Sequence, residues 1–501
     1  MKRVLHLSSA MWVNLFKELL EYGQENKEYH VGIICPNAAV KNYSKTLKLG
    51  AKHYSIPNFY KESIGKDNNE KELLQIIKEC EIATGLSINR IILAGERDIG
   101  RAYSKEFYFW PSTKIQKYCL SNNTYPEKVV FSMFRFIITV FEKFKPDFVL
   151  TRDHSSPLPF VAYLYAKRNK VPYIDLQHSK ILTDRYFWTE DFYYHNILAK
   201  DVFNNKLKNN NEVSQESYNY LAQQRKEPRS TNYINARVWK RADQMTWIAV
   251  QKAFLHLFLN KLIYIIKGKV GVQPKPVRAK IYEYYRIKFM QLYHKKYFSS
   301  FDLDDLKGIK YIYFPLHKEP ELMLNSQATL WHDQRHTISY ISSMLPSGYK
   351  LFIREHRLNW GRRYTKYLKC ISNLPGVKLI NPFDSQFKYI QNADLIITDN
   401  GTAGWEGLLL NKTVITLDRT FYETTDLPIN VSMASELDKH IIMALNRINS
   451  FSGKEYDKRL GLFIDSERET TLPEKDFSPV DNLLMIEKLL TLKTKIQNCK
   501  N

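Results

Sequence analysis

Paired cysteines are missing from this chain. Its five, Cys35, Cys80, Cys119, Cys370 and Cys499, are scattered and form no CxxC unit. Their odd number and spacing argue against a disulfide framework or a zinc framework, and for reduced thiols in a cytoplasmic protein. A long apolar run is missing too. The best candidate, residues 254–266, is interrupted by His256, Asn260 and Lys261 and falls short of the ~20 residues that a membrane span needs. The opening run from Val4 to Leu7 is too short for a signal peptide and reads as a first buried strand. There is no zinc-ligand spacing, no ribonucleoprotein-like aromatic signature and no basic zipper, so nucleic acid is not an expected partner. No internal repeat occurs, and the one biased stretch is the Asn/Lys run at 204–211.

Acidic residues are in deficit. Against 74 Lys and Arg stand 52 Asp and Glu, a formal net charge of +22. Such a surface attracts anions: acidic phospholipid, phosphate-bearing substrates or nucleic acid. The cations are dispersed, which favours a nucleotide-linked substrate with an anionic membrane surface as a candidate partner. Aromatics reach 14%. Sugar sites and membrane interfaces share that enrichment, and AT-rich coding produces it as well. With 501 residues and 44% apolar content, the chain can build two or three domains, each with its own core.

Hydrophobic periodicity gives two alternating α/β stretches. In the first, Val4–Leu7, His30–Cys35, Asp147–Thr151 and Pro172–Leu176 read as strands. Asn14–Tyr22, Phe131–Phe144 and Pro159–Arg168 read as helices between them, and Arg90–Ala94 is a further apolar run in the same rhythm. Residues 200–300 break the rhythm, with long helices rich in Lys, Tyr and Phe from Trp247 to Phe298 and a turn at Pro274 and Pro276. They fit best a helical insertion packed on the core, with a basic-aromatic patch that docks on a membrane as the alternative. Alternation resumes near 309. Lys310–Phe314, Tyr349–Arg354, Val377–Ile380, Leu395–Thr398 and Val414–Leu417 are strands separated by helices. The expected fold class is therefore α/β: doubly wound parallel-sheet domains facing a cleft, with a helical insertion. The divisions are 1–200, 201–305, 306–432 and 433–501, the last helical and packing back across the domains. Ligands of such sheets bind outside the C-terminal strand ends.

That rule selects the polar residues that matter. After Leu395–Thr398 comes Asp399-Asn400-Gly401-Thr402-Ala403-Gly404-Trp405-Glu406. Its glycines permit close approach of a ligand, and N–H groups at the following helix start favour an anion. Glu406 can accept hydrogen bonds from ribose hydroxyls. An ordinary strand–helix turn would look the same. After Tyr349–Arg354, the run Arg354-Glu355-His356-Arg357 offers cations and an imidazole to a phosphate. A solvated charged loop is the plainer reading. After Lys310–Phe314 stand His317 and Glu321, in what could also be a Pro-shaped turn. In the first half, Glu96-Arg97-Asp98, Asp153-His154 and His178 follow apolar runs. Asp153, with His154, is the first candidate for a base or cation stabiliser. Arg185 is either fold-stabilising or on the acceptor side.

Taken together and in order, these stretches resemble the capsule polysaccharide biosynthesis family, which includes bacterial Kdo transferases of capsule assembly. The resemblance rests on residues 314–321, 345–356, 392–406 and 411–416, with a weaker likeness at 145–195. It implies a GT-B-like fold and a metal-independent glycosyltransferase. The nucleotide-sugar would be held by His317, Glu321, Arg354, Glu355, Asn400, Gly401, Thr402, Ala403, Gly404 and Glu406. His356 joins Asp153 and His154 as the catalytic candidates. Glu96, Arg97, Asp98, His178 and Arg185 would face the acceptor, a saccharide or lipid-linked saccharide. No cofactor is implied. The expected location is the cytoplasm, including the inner face of the membrane. Arg354 stands where the family has Lys, Arg357 where it has Pro, and His317 where it often has Gln, so the donor sugar is not carried over. A polyol-phosphate transferase, a sugar-nucleotide epimerase and a non-catalytic assembly partner are the alternatives.

Overall fold

The structure is a computed structural model that describes residues 1–8, 12–59, 70–95, 125–152, 156–230, 251, 255, 258–259, 277–319, 322–431, 433–446 and 453–498. Asp153, His154, Glu96, Arg97, Asp98 and Glu321 lie outside the described residues.

The first unit carries β1 (Lys2–Leu7), β2 (Tyr29–Cys35), β3 (Lys52–Ser55), β4 (Phe148–Thr151), β5 (Tyr173–His178) and β6 (Arg185–Thr189). The second carries β7 (Tyr311–Pro315), β8 (Lys350–Arg354), β9 (Val377–Ile380), β10 (Leu395–Thr398), β11 (Val414–Thr416) and β12 (Ile429–Asn430). A late strand, β13 (Leu472–Pro473), returns to the first sheet. The strand orders are β13-β6-β5-β4-β1-β2-β3 and β12-β11-β10-β7-β8-β9. The second sheet is parallel throughout. In the first, β6 pairs antiparallel with both β5 and β13. The architecture is GT-B-like, with two parallel-dominated sheets layered by helices.

The strand sequences explain this burial. Leu395-Ile396-Ile397-Thr398 is buried at every position, as a strand covered on both faces must be. Helices α1 (Val13–Glu25), α2 (Asn89–Ala94), α3 (Tyr125–Phe144) and α4 (Pro157–Arg168) serve the first sheet. Two apolar clusters sandwich it, one around Phe134, Ile137 and Phe160, the other around Leu19, Val31 and Trp188. The second sheet is sandwiched in the same way, by clusters around Tyr313, Trp405 and Phe463 and around Ile312, Ile338 and Ile371.

Between the sheets run α5 (Ile197–Lys208), α6 (Gln215–Lys226) and α7 (Val277–His294). The second unit adds α8 (Gln334–Ser343), α9 (Thr365–Ser372), α10 (Gln386–Asn392), α11 (Thr402–Leu409) and α12 (Leu437–Asn446). The chain closes with α13 (Gly453–Thr470) and α14 (Pro479–Asn498). Asp465 on α13 accepts from Ser214 N at 2.9 Å and from the Ser217 hydroxyl at 2.6 Å. It thereby satisfies the start of α6. Arg90–Ala94, an apolar run in the strand rhythm, is helical. Lys52–Ser55 adds β3, a half-exposed polar edge strand, and the segment that carries Arg185 is a strand. Among the described residues, no helix is long and apolar enough to cross a membrane.

Candidate functional site

The second sheet reverses its winding between β7 and β10. Successive strands run outward from β7 through β8 to β9, then the chain crosses back to β10. A crevice opens outside the strand ends at such a reversal. His317 and Asp399 stand at its two sides, with His317 Nε2 4.0 Å from Asp399 Oδ2. Gln334 on α8 clamps the His317 backbone, accepting from its N–H at 2.6 Å and donating to its carbonyl at 3.1 Å. Asp399 is fully buried at 0% exposure. Neither of its oxygens has a hydrogen-bond partner among the described residues. Burial, with Asp418 and Glu319 nearby, holds its carboxyl well above the usual range, because the charged form is desolvated and faces like charges. Burial and the charge of Lys180 push His317 down to about 4. The imidazole is therefore neutral at pH 7.

Gly401 forms the floor of the crevice. A Cβ there would meet Thr398 Oγ1 at 2.9 Å and His317 Nε2 at 3.3 Å. Helix α11 begins immediately afterwards, so its first N–H groups and dipole end face the same place. Gly404 is needed for another reason. A Cβ on it would lie 1.9 Å from the Tyr422 hydroxyl, and that hydroxyl donates to Gly401 O at 3.2 Å. Tyr422 thus holds the loop down from behind. Asn400, Thr402 and Ala403 complete the turn and first helical residues.

Glu406 sits one turn inside α11. It is 2% exposed. Its Oε2 accepts from Gln386 Nε2 at 2.8 Å, whereas Oε1 has no hydrogen-bond partner in the described geometry, although Ser230 lies in reach of the carboxyl. Burial raises this carboxyl to about 7, against the opposing pull of Ser230, Arg354 and Gln386.

The loop after β8 divides its tasks. His356 Nδ1 accepts from Leu358 N at 3.2 Å, which leaves the ring proton on Nε2. Burial, followed by the neighbouring His317, Lys318, Arg354 and Arg363, pushes its pKa down to about 3. Glu355 takes a structural position. Its carboxylate accepts from Arg363 Nε at 2.5 Å and from His356 N at 2.8 Å. Arg363, 1% exposed, also bonds Glu319 and lies 4.5 Å from the centre of the Tyr367 ring. Arg354 spans to Pro382 O at 2.9 Å and Asp384 O at 3.3 Å. Arg357 donates to Pro382 O at 2.9 Å and Phe383 O at 3.2 Å. These two arginines fasten the β9 loop, and Arg354 adds positive charge beside Glu406.

In the first sheet, His178 ends β5. It accepts from Trp12 Nε1 at 3.2 Å, and its Nδ1 is 2.8 Å from Glu474 Oε1. Burial and Arg152 push it down to about 4. Arg185 points elsewhere. It donates to Thr471 Oγ1 at 2.7 Å and Arg468 O at 3.0 Å, joining β6 to the end of α13. Three groups emerge that the motifs did not single out. Asp399 opens the loop after β10, where the sequence pattern gives it no role. Lys180 reaches His317 across the units. Asp418, at the end of β11, has its carboxyl raised by burial to about 6. A strand-end position was the available signal for all three.

No family model matches the chain, and no curated protein matches its sequence. Solved structures align with it at low similarity. The KpsC beta Kdo 2,4 transferase of Thermosulfurimonas dismutans is 14% identical, over 63% of this chain and 79% of that one, with a TM-score of 0.32. The UDP-GlcNAc 2-epimerase of Neisseria meningitidis is 13% identical, over 98% and 100%, with a TM-score of 0.27. The spinosyn rhamnosyltransferase SpnG is 10% identical, over 94% and 98%, also at 0.27.

Proposed function

We propose that the protein is a glycosyltransferase. It moves a sugar from a nucleotide-sugar donor to a growing surface polysaccharide of the capsule type, or to its lipid-linked acceptor, on the cytoplasmic side of the membrane. One observation carries the reading. The neutral His317 imidazole, the buried Asp399 carboxyl and the start of α11 meet beside Gly401 at the reversal point of the second sheet, with His356 near His317. Neutral imidazole and backbone donors suit a phosphate oxygen whose charge grows as the sugar departs. In this reading His356 Nε2–H and the first N–H groups of α11 receive the leaving phosphate, and Lys180 adds charge from the opposite unit. Glu406 takes a ribose hydroxyl on Oε1. Asp153 and His154 remain the candidates for acceptor activation, with Glu96, Arg97, Asp98 and His178 on the acceptor side. Charge on the leaving group is met by protein donors, with no metal or cofactor assigned.

The test starts with thermal shifts against cytidine, uridine, guanosine and thymidine nucleotides. A ligand at a hundred times its Kd stabilises by about 2.7 kcal/mol. One base class should stabilise the chain, and His356→Ala should abolish most of that shift. No shift with any nucleotide would sink the donor site. The matching nucleotide-sugar, incubated with saccharide acceptors, then separates the reactions. Sugar transfer supports the proposal. An isomerised donor sugar would mark an epimerase, and a phosphodiester product a polyol-phosphate transferase. Unchanged polymer in cells carrying His356→Ala and Glu406→Ala would mark an assembly partner.

A further inference from the structure

Helix α7 is apolar on two faces. Its inner face is fixed to the second unit. Ile287 and His294 are buried, and His294 Nε2 is 3.2 Å from Thr365 Oγ1. Gly361, at φ +76°, lets the backbone come close, since a Cβ there would meet Ile287 O at 2.6 Å. The rotation of the helix about its axis is therefore set. The outer face then presents Tyr285, Phe289, Leu292 and Tyr293, exposed by 53%, 63%, 69% and 41%. Their spacing of four, seven and eight residues places them on one side of a helix. The Phe289 and Tyr293 rings lie nearly parallel, 9° apart at 6.4 Å.

Cations surround this ridge. Lys295 and Lys296 are exposed at its end, and Lys296 Nζ lies 4.0 Å from the Tyr293 ring centre. Lys366 and Lys369 are exposed on the neighbouring α9, and the charge of Lys369 reaches Tyr293. A contiguous apolar ridge on an exposed face calls for a partner. The lysines and the net charge of +22 require that partner to be anionic. A bilayer interface meets both demands, because aromatic rings settle at the headgroup level while lysine stems lie along the apolar layer and reach anionic lipid. We infer that the outer face of α7 docks this protein on an anionic membrane surface. The inference does not depend on the donor-site reading.

The full-length chain is sedimented with vesicles of phosphatidylcholine alone and of phosphatidylcholine with 40 mol% (about two in five) phosphatidylglycerol, a range in which surface charge dominates binding. The wild-type chain should bind the anionic vesicles at least tenfold better, and the preference should fade in high salt. Phe289→Ser with Leu292→Ser should lower anionic-vesicle binding at least tenfold. Lys295→Glu with Lys296→Glu, which alters only exposed positions, should do the same. Circular dichroism and Tm should match wild type in both. The inference is overturned if the wild-type chain ignores anionic vesicles, or binds neutral ones equally. It is also overturned if both folded variants bind as wild type. A wild-type dimer that the Phe289/Leu292 variant converts to monomer, with vesicle binding unchanged, would instead identify a self-association face.

Discussion

Replacing Glu406 by Gln should make the protein more stable and a poorer nucleotide binder. The glutamate is buried, and its carboxyl is raised to about 7 from the usual 4.5. Below about pH 4.5 both folded and unfolded chains hold the proton. Between 4.5 and 7 the unfolded chain releases it and the folded chain retains it, so stability falls as pH rises through that window. Above 7 the full penalty is in force, about 3 kcal/mol at 1.36 kcal/mol per pKa unit. Glutamine fits the same space, can accept from Gln386 and never ionises. At pH 5 the two proteins should be nearly equal. At pH 8 the Glu406→Gln chain should gain about 1–3 kcal/mol, a rise of about 1–3 °C at roughly 1 °C per kcal/mol for a chain of 501 residues. Nucleotide affinity should move the other way. Exchanging a charged acceptor for a neutral one loses about 1–2 kcal/mol, or roughly five- to thirtyfold in Kd. Calorimetric scans from pH 5 to 8, with and without nucleotide, measure both. A stability difference that does not change with pH would refute the burial argument. An unchanged nucleotide shift would refute the ribose role.

Two further outcomes test the scaffold of the site. Arg363→Met should destabilise by about 3–5 kcal/mol, because it strands Glu355 and Glu319 without their buried cation; urea unfolding checks this, and a loss under 1 kcal/mol would contradict it. Gly404→Ala should cost about 1–3 kcal/mol by overpacking against Tyr422. Part of that should return in the Gly404→Ala/Tyr422→Phe double variant, and no recovery would show that the hydroxyl is not the obstacle.

Much of the second unit was legible because its strands are short, fully apolar and separated by clear helices. Val377–Ile380 and Leu395–Thr398 are found where periodicity places them. The first unit was less so. Lys52–Ser55 alternates weakly at a sheet edge, and Arg90–Ala94 is too short for its period to separate helix from strand. Residues 185–189 pair antiparallel with the nearby β5, but their second partner lies nearly 300 positions later, which no local pattern reports. In the site, strand ends pointed to the right loops but could not divide their labour. Glu355 and His356 are adjacent, yet one is bound to Arg363 and the other keeps its Nδ1 for the backbone. That division is tertiary. The reach of Lys180 to His317 likewise follows from the packing of the two units.

The return of β13 to the first sheet has a consequence for synthesis. The strand pairs with β6, and Asn482 of α14 accepts from Trp188 Nε1 at 2.8 Å and donates to the Tyr186 hydroxyl at 2.9 Å. Tyr186 and Trp188 belong to the first unit, but their partners are synthesised nearly 300 residues later. At about 5–20 residues per second, roughly 15–60 s separate the two. Through that interval the edge of β6 is open to any other strand in the crowded cell. The polypeptide therefore has a window of vulnerability during translation, and a chaperone that shields nascent edges should matter more for its yield than its finished stability would indicate.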